Sequence, residues 1–213
     1  MKRVTSLFVA FCCGIVAAPL AQAQAPPEKI NVADSRVYVF VDKNPRGHQH
    51  GVEGRLSAGT VRLGQAAGAG QMTFDLLSFQ VDSDVGRRYV GLEGQTDEGD
   101  QVSATDSMRG ASVLDVAKFA TAKFTIDSAK PVAAVEGIAG TAHQFDGELD
   151  LHGVKKRISF VAGAETIEGG RVRIRGRFSL KQTDFGIKPF TKFFGAIGVA
   201  DELQVHGDIY LVP

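Results

Sequence analysis

Phe145-Asp-Gly-Glu-Leu-Asp-Leu-His-Gly-Val-Lys-Lys-Arg-Ile-Ser-Phe160 alternates apolar and polar residues on both sides of His152-Gly153. That is the pattern of two half-buried antiparallel strands joined by a two-residue turn. With His152 and Gly153 as the turn, the register follows. Leu151 faces Val154, Gly147 faces Ile158 and Phe145 faces Phe160 on one side. Asp150 meets Lys155 and Glu148 meets Arg157 on the other, two cross-strand pairs of opposite charge. A slip of one residue would mix the faces, so the pairing is well specified. The hairpin has one oily face and one charged face.

The pattern continues downstream. The second strand runs to Thr166, and the three-residue loop Glu168-Gly169-Gly170 leads into a strand from Arg171 to Lys181. That register sets Phe160 against Phe178, Ala162 against Gly176 and Ala164 against Ile174 on the apolar side, with Glu165 facing Arg173 on the polar side. A last strand, Leu203 to Val212, puts Leu203, Val205, Gly207, Ile209 and Leu211 on one face. Between them lies a long connection, Thr183 to Glu202, with Phe185, Phe190, Phe193 and Phe194.

Upstream, Ser35 to Asp42 and Gly54 to Leu63 read as strands, with turn chemistry at Asn44-Pro45-Arg46-Gly47 between them. Gln71 to Val81 reads as a strand whose apolar phase switches between Leu76 and Leu77, which predicts a bulge. Asp97 to Asp100 reads as an acidic loop, and Ser112 to Phe119 as the one short helix, with Ser112 as its cap. Ala122 to Asp127 is a strand with Phe124 and Ile126 inward. Seven or eight mostly antiparallel strands and one short helix make an all-β barrel or sandwich.

The chain starts with Met1-Lys2-Arg3, an apolar run from Leu7 to Val16 and a small-residue site at Ala21-Gln22-Ala23. This predicts a secretory signal peptide over 1–23, cleaved after Ala23, and a periplasmic product. A linker over 24–34 and a single barrel domain over 35–213 follow. Removing the first 23 of 213 residues leaves 190, and both cysteines, Cys12 and Cys13, go with them. With Lys2 and Arg3 gone, 22 basic side chains face 24 acidic ones, a net charge of about −2. Nothing in that balance points to nucleic acid, and no later stretch is long and apolar enough for an integral span.

Candidate chemistry is sparse. No nucleophile elbow, Cys–His pair or phosphate loop is present, so no catalytic residue is expected and the protein is read as no enzyme. His48 and His50 share a face if extended and could be half of a metal site, but no third ligand has a fitting spacing. Asp82-Ser-Asp84-Val-Gly86 fails as a calcium loop because its glycine is one place early. Arg171, Arg173, Arg175 and Arg177 read as the polar outer face of a sheet. Mid-strand Ala162, Gly176 and Gly207 mark either sharp bends around a packed core or volume left open inside a barrel.

The residues also resemble a known family. Gly147 to Phe160 is similar to the Gly-x-Leu-x-Leu-His-Gly-Val-x-(Lys/Arg) hairpin of the YceI-like family. Lys181-Gln-Thr-Asp-Phe-Gly186 resembles its Asp-Phe-Gly segment, and Val199-Ala-Asp-Glu-Leu203 its approach to the last strand. The resemblance implies an extended, lipocalin-like, eight-stranded antiparallel barrel that holds an isoprenoid, isoprenoid quinone or fatty-acyl chain. The expected ligand wall is then Phe145, Leu149, Ile158, Phe160, Ile174, Gly176, Phe178, Val205 and Ile209, with Phe190, Phe193 and Phe194 as a lid. Gly176→Phe is expected to block the tube. No cofactor beyond that lipid is expected, and a homodimer is left open. The competing readings are metal handling through His48 and His50, and a packed barrel acting as an interaction module.

Overall fold

The computed structural model describes residues 28–212, so the expected signal peptide and its cleavage site lie outside the described residues. Ten strands form one sheet: β1 Glu28–Ile30, β2 Arg36–Lys43, β3 His50–Val61, β4 Gly70–Val81, β5 Thr121–Pro131, β6 Thr141–Leu151, β7 Val154–Thr166, β8 Val172–Lys181, β9 Thr191–Lys192 and β10 Ile197–Val212. Helices α1 Asp84–Tyr89 and α2 Glu98–Arg109 lie between β4 and β5. Consecutive strands pair from β2 through to β8, and β10 pairs with both β2 and β8. Eight antiparallel strands therefore close into a barrel, with β1 and β9 as additions. Closure leaves no free edge on the main sheet.

The β6–β7 hairpin has the register read from the sequence, from Leu151↔Val154 through Gly147↔Ile158 to Phe145↔Phe160 and on to Thr141↔Ala164. Its turn places His152 at φ 54° and Gly153 at φ 75°. Two consecutive positive φ values are what a two-residue turn needs to match the twist of its strands. The β7–β8 pairing runs from Thr166↔Val172 to Ala162↔Gly176 as read. Phe160 and Phe178 lie beyond the last paired residues, yet their rings still stack at 4.9 Å.

The Asp-Phe-Gly segment earns its place structurally. Phe185 is fully buried, and its carbonyl oxygen lies 3.3 Å from His152 Nδ1 at the hairpin turn. Gly186 at φ 70° then turns the chain back. The segment thus locks the β8 end onto the β6–β7 turn.

Four expectations are corrected. Glu28–Ile30, at the end of the expected linker, forms β1, which bridges β10 and β3. Ser112–Phe119 is a run of turns rather than a helix: Asp115 has φ 46°, and its N–H and that of Val113 both donate to Gly110 O. A left-handed residue in mid-segment ends any right-handed helix. The acidic residues from Asp97 to Asp100 instead begin α2, with Asp97 at the N-cap and Glu98 and Asp100 in the first turn. Carboxylates there face the positive end of the helix dipole. Finally, β10 begins at Ile197, not Leu203, and its register with β2 shifts within the strand, between Val199 and Leu203.

The predicted bulge in β4 is present and has a purpose. The β3–β4 register jumps between Glu53↔Gln80 and Arg55↔Asp75. β4 pairs with β5 only up to Asp75↔Thr121. Above that point α2 takes the place of β5: Val81 N–H donates to Thr105 Oγ1 at 3.0 Å and Arg109 Nε donates to Phe79 O at 3.0 Å. Backbone groups left by the parted strands are thereby satisfied from a helix.

Candidate functional site: a blind apolar tube with a polar mouth

Strand direction sorts the connections into two ends. The β2–β3 turn, the α1–α2 segment, the β6–β7 turn and the 182–196 connection lie at one end. The 62–69, 132–140 and 167–171 connections lie at the other, with β1. That second end is sealed. Ile30, Val61, Ala69, Ala129 and Leu211 are buried together there. A Cβ on Gly59 would sit 2.4 Å from Ile30 Cδ1, so the plug is tight.

Above the plug the barrel is hollow. A cavity of about 900 Å³ runs up its axis to the first end. Small-molecule sites range over about 300–1,000 Å³, so this one is large. All nine residues expected on the wall, from Phe145 to Ile209, line it. Phe145, Phe160 and Phe178 stack successively, at 5.5 Å and 4.9 Å between centroids, as an aromatic rail. Phe124 joins it at 5.8 Å from Phe160.

The two mid-strand glycines on this wall differ. A Cβ at Gly176 would meet Ala162 Cβ at 2.6 Å and Ala162 Cα at 3.1 Å. Gly176 therefore marks a close approach of β7 and β8, and Gly176→Phe would break their contact rather than simply plug the lumen, contrary to the sequence expectation. At Gly207 the nearest atom to an added Cβ is Ile209 Cγ1 at 3.7 Å, ordinary contact distance. Gly207 is where volume is really left open.

The three expected lid residues separate. Phe190 lines the cavity, together with Lys192 and Ile197. Phe193 and Phe194 do not; they are 71% and 112% exposed at the tip of the β9–β10 hairpin. Sequence could flag four phenylalanines in a long connection but not which way each ring turns.

The mouth is polar and is organised by Asp82, which the sequence marks only as the start of a failed calcium loop. Asp82 is 2% exposed and has φ 58°. Its carboxylate accepts from His50 Nδ1 at 2.8 Å, Gly51 N at 2.9 Å, Arg87 Nη1 at 3.2 Å and Thr96 Oγ1 at 3.3 Å. Burial alone would raise its pKa, but the bonds from His50 and Gly51 and the Arg87 charge outweigh that and hold it below the usual carboxylate range. One anion thus fastens the start of β3, α1 and the 92–97 segment around the opening. Its two partners in β3 are 31 and 32 residues away, and nothing in the local sequence marks Arg87 and Thr96 as the others.

His50 is committed to Asp82, and among the described residues no group of three or more His, Cys, Asp or Glu side chains could hold a metal ion. The arginine ladder lies on the outer face: Arg173 forks onto Asp208 with two 2.7 Å bonds, Arg175 reaches Glu165 and Arg171 reaches Asp34. Glu165 is opposite Arg173 in register, as expected, but its ion pair is with Arg175. Among the described residues no helix is long and apolar enough to cross a membrane.

The fold has solved counterparts. A polyisoprenoid-binding domain from Saccharophagus degradans superposes with a TM-score of 0.58 at 18% identity, over 87% of this chain and 98% of that one. Burkholderia cenocepacia BcnA does so with a TM-score of 0.56 at 18% identity, over 86% and 99%. Among curated proteins none matches. The YceI-like domain model matches residues 29–211, from β1 to the end of β10, and the chain belongs to that family.

Proposed function

We propose that this protein binds one long hydrophobic chain, of isoprenoid, isoprenoid-quinone or fatty-acyl type, inside the barrel and carries or sequesters it in the periplasm without chemical change. The observation that carries the reading is the blind tube. An eight-stranded barrel can be just filled by its own side chains, and here Gly207 leaves open volume that a larger residue would fill. The wall is apolar along its length, while polar and charged groups gather at the opening. That arrangement suits an amphiphile whose tail is buried and whose head stays at the mouth. The polyisoprenoid-binding domain of Saccharophagus degradans supports the same ligand class by likeness of fold.

The driving force is transfer of the chain out of water, about 0.8 kcal/mol for each methylene buried. Affinity should therefore rise about fourfold per methylene and level off when the chain reaches the Ile30–Leu211 plug. Titration of lipid-stripped protein with alcohols or acids of graded chain length reads this directly. A steady rise followed by a plateau is the expected result. Affinity independent of chain length would reject the tube as the binding site.

A further inference from the structure

The β9–β10 hairpin forms part of the rim: Phe190, Lys192 and Ile197 line the cavity, while Phe193 and Phe194 in the loop that closes the hairpin do not. Its two phenylalanines combine two unfavourable features. Both rings are exposed to water. Both residues also sit at left-handed φ, 50° and 56°, which is rare for bulky side chains. Such strain persists where the surrounding structure imposes it and is found at functional sites. The Lys192↔Ile197 pairing imposes it here.

The charge around the tip has one sign. No Asp or Glu occurs from 187 to 200, whereas Lys188 and Lys192 are exposed. The neighbouring β2–β3 turn adds exposed Lys43 and Arg46. It is fastened to the hairpin by Asn44 N donating to Gly198 O at 2.9 Å and Gly198 N donating to Arg46 O at 3.0 Å. The nearest carboxylate on that turn, Asp42, is occupied by Lys43 N and Gln49 Nε2. Other sectors of the mouth carry Glu93, Asp97 and Asp100. The hairpin sector of the rim is thus basic and aromatic, while the α1–α2 sector mixes Arg87 with these carboxylates.

We propose that the Phe193–Phe194 tip docks this end of the barrel onto an anionic phospholipid bilayer. The rings enter the boundary between headgroups and acyl chains, and Lys43, Arg46, Lys188 and Lys192 meet lipid phosphates. Two rings and four cations make a reversible contact rather than an anchor. Docking sets the open mouth at the lipid surface, so a bound chain passes between bilayer and tube with little exposure to water. That last step rests on the function proposed above; the docking itself does not.

The chain contains no tryptophan, so Phe194→Trp supplies a single reporter outside the tube. Lipid-stripped Phe194→Trp protein is mixed with vesicles of phosphatidylglycerol and phosphatidylethanolamine, and separately with phosphatidylcholine alone. The expected result is a blue-shifted emission, quenched by brominated acyl chains, with the anionic vesicles and far less with the neutral ones. Lys188→Gln with Lys192→Gln should weaken partitioning roughly thirtyfold, about fivefold for each cation removed. Phe193→Asn with Phe194→Asn, which keeps residues that tolerate left-handed backbone, should abolish vesicle flotation and leave the denaturation midpoint unchanged. Gly207→Phe, with its tube blocked, should dock like the wild type. Absence of a shift in a protein that denatures normally overturns the proposal, as does equal binding to neutral vesicles. A shift that appears without vesicles and grows with protein concentration would assign the tip to a second copy of the chain and also overturn it. Lipid still extracted from a protein that does not dock would sink docking alone, leaving the tube standing.

Discussion

Gly207→Phe should leave the barrel folded and empty it of ligand. Gly207 lies in β10, paired with Val37 on one side and Gly176 on the other, on the inward face between Val205 and Ile209. Its missing side chain opens onto the lumen, with no backbone close by. A benzyl group there occupies tube volume without moving a strand, so the denaturation midpoint should stay near the wild type. Excluding even three methylenes of a bound chain weakens binding about fiftyfold, at about 0.8 kcal/mol each. The paired experiment is Gly176→Ala, chemically milder and structurally worse: its new methyl falls 2.6 Å from Ala162 Cβ across the β7–β8 pair. It should lower stability even though it adds one carbon. Lipid content and urea midpoints of the two variants separate a hollow lumen from a packed one. A Gly207→Phe protein that retains its lipid would contradict the tube.

Asp82→Asn should cost about 3 kcal/mol of stability at neutral pH, the low end for removing one partner of a buried ion pair. Asparagine keeps the shape and accepts the left-handed backbone at this site, so the change isolates the charge. It leaves Arg87 without its counter-ion and puts an amide N–H₂ where an oxygen now accepts bonds. The pH dependence has a definite sign. A carboxyl whose folded pKa lies below its unfolded value stabilises the fold fully above the unfolded pKa, about 3.9, and that contribution disappears as pH falls through the folded pKa. Wild type and Asp82→Asn should therefore differ by a constant amount from pH 7 down to about pH 4.5, then converge in stronger acid. Urea denaturation across that range checks it. A gap that narrows between pH 7 and 5 would mean that another group controls the mouth.

What was legible in the sequence follows the physics of each element. Strands with one oily face announce their period and register, so the Phe145–Phe160 hairpin, its continuation into β8 and the inward face of β10 could be read residue by residue. The wall of the cavity came with them, because a face that alternates with charge points inward whether the interior is full or empty. Helix α2 was not legible: Glu98–Arg109 is polar nearly all round and buries only Thr105, so it has no apolar stripe to detect. It is helical because it replaces β5 along the parted edge of β4, a tertiary reason. Ser112–Phe119 reads as a short capped helix, yet Asp115 turns left-handed, and two β-branched valines give the segment little helix propensity to resist it. The Asp82 cluster was hidden by distance along the chain. The Phe193–Phe194 tip looked like part of a lid because long loops in compact domains are often functional, whereas the short β9–β10 hairpin leaves both rings exposed.

A lumen that holds a hydrophobic chain, as proposed, should yield it to organic extraction and mass spectrometry of the protein purified without detergent from its native source. The expected result is one hydrophobic chain, close to one per protein, with a length set by the span from the Asp82 mouth to the Ile30–Leu211 plug. Protein that carries no lipid and takes none up when offered would contradict it.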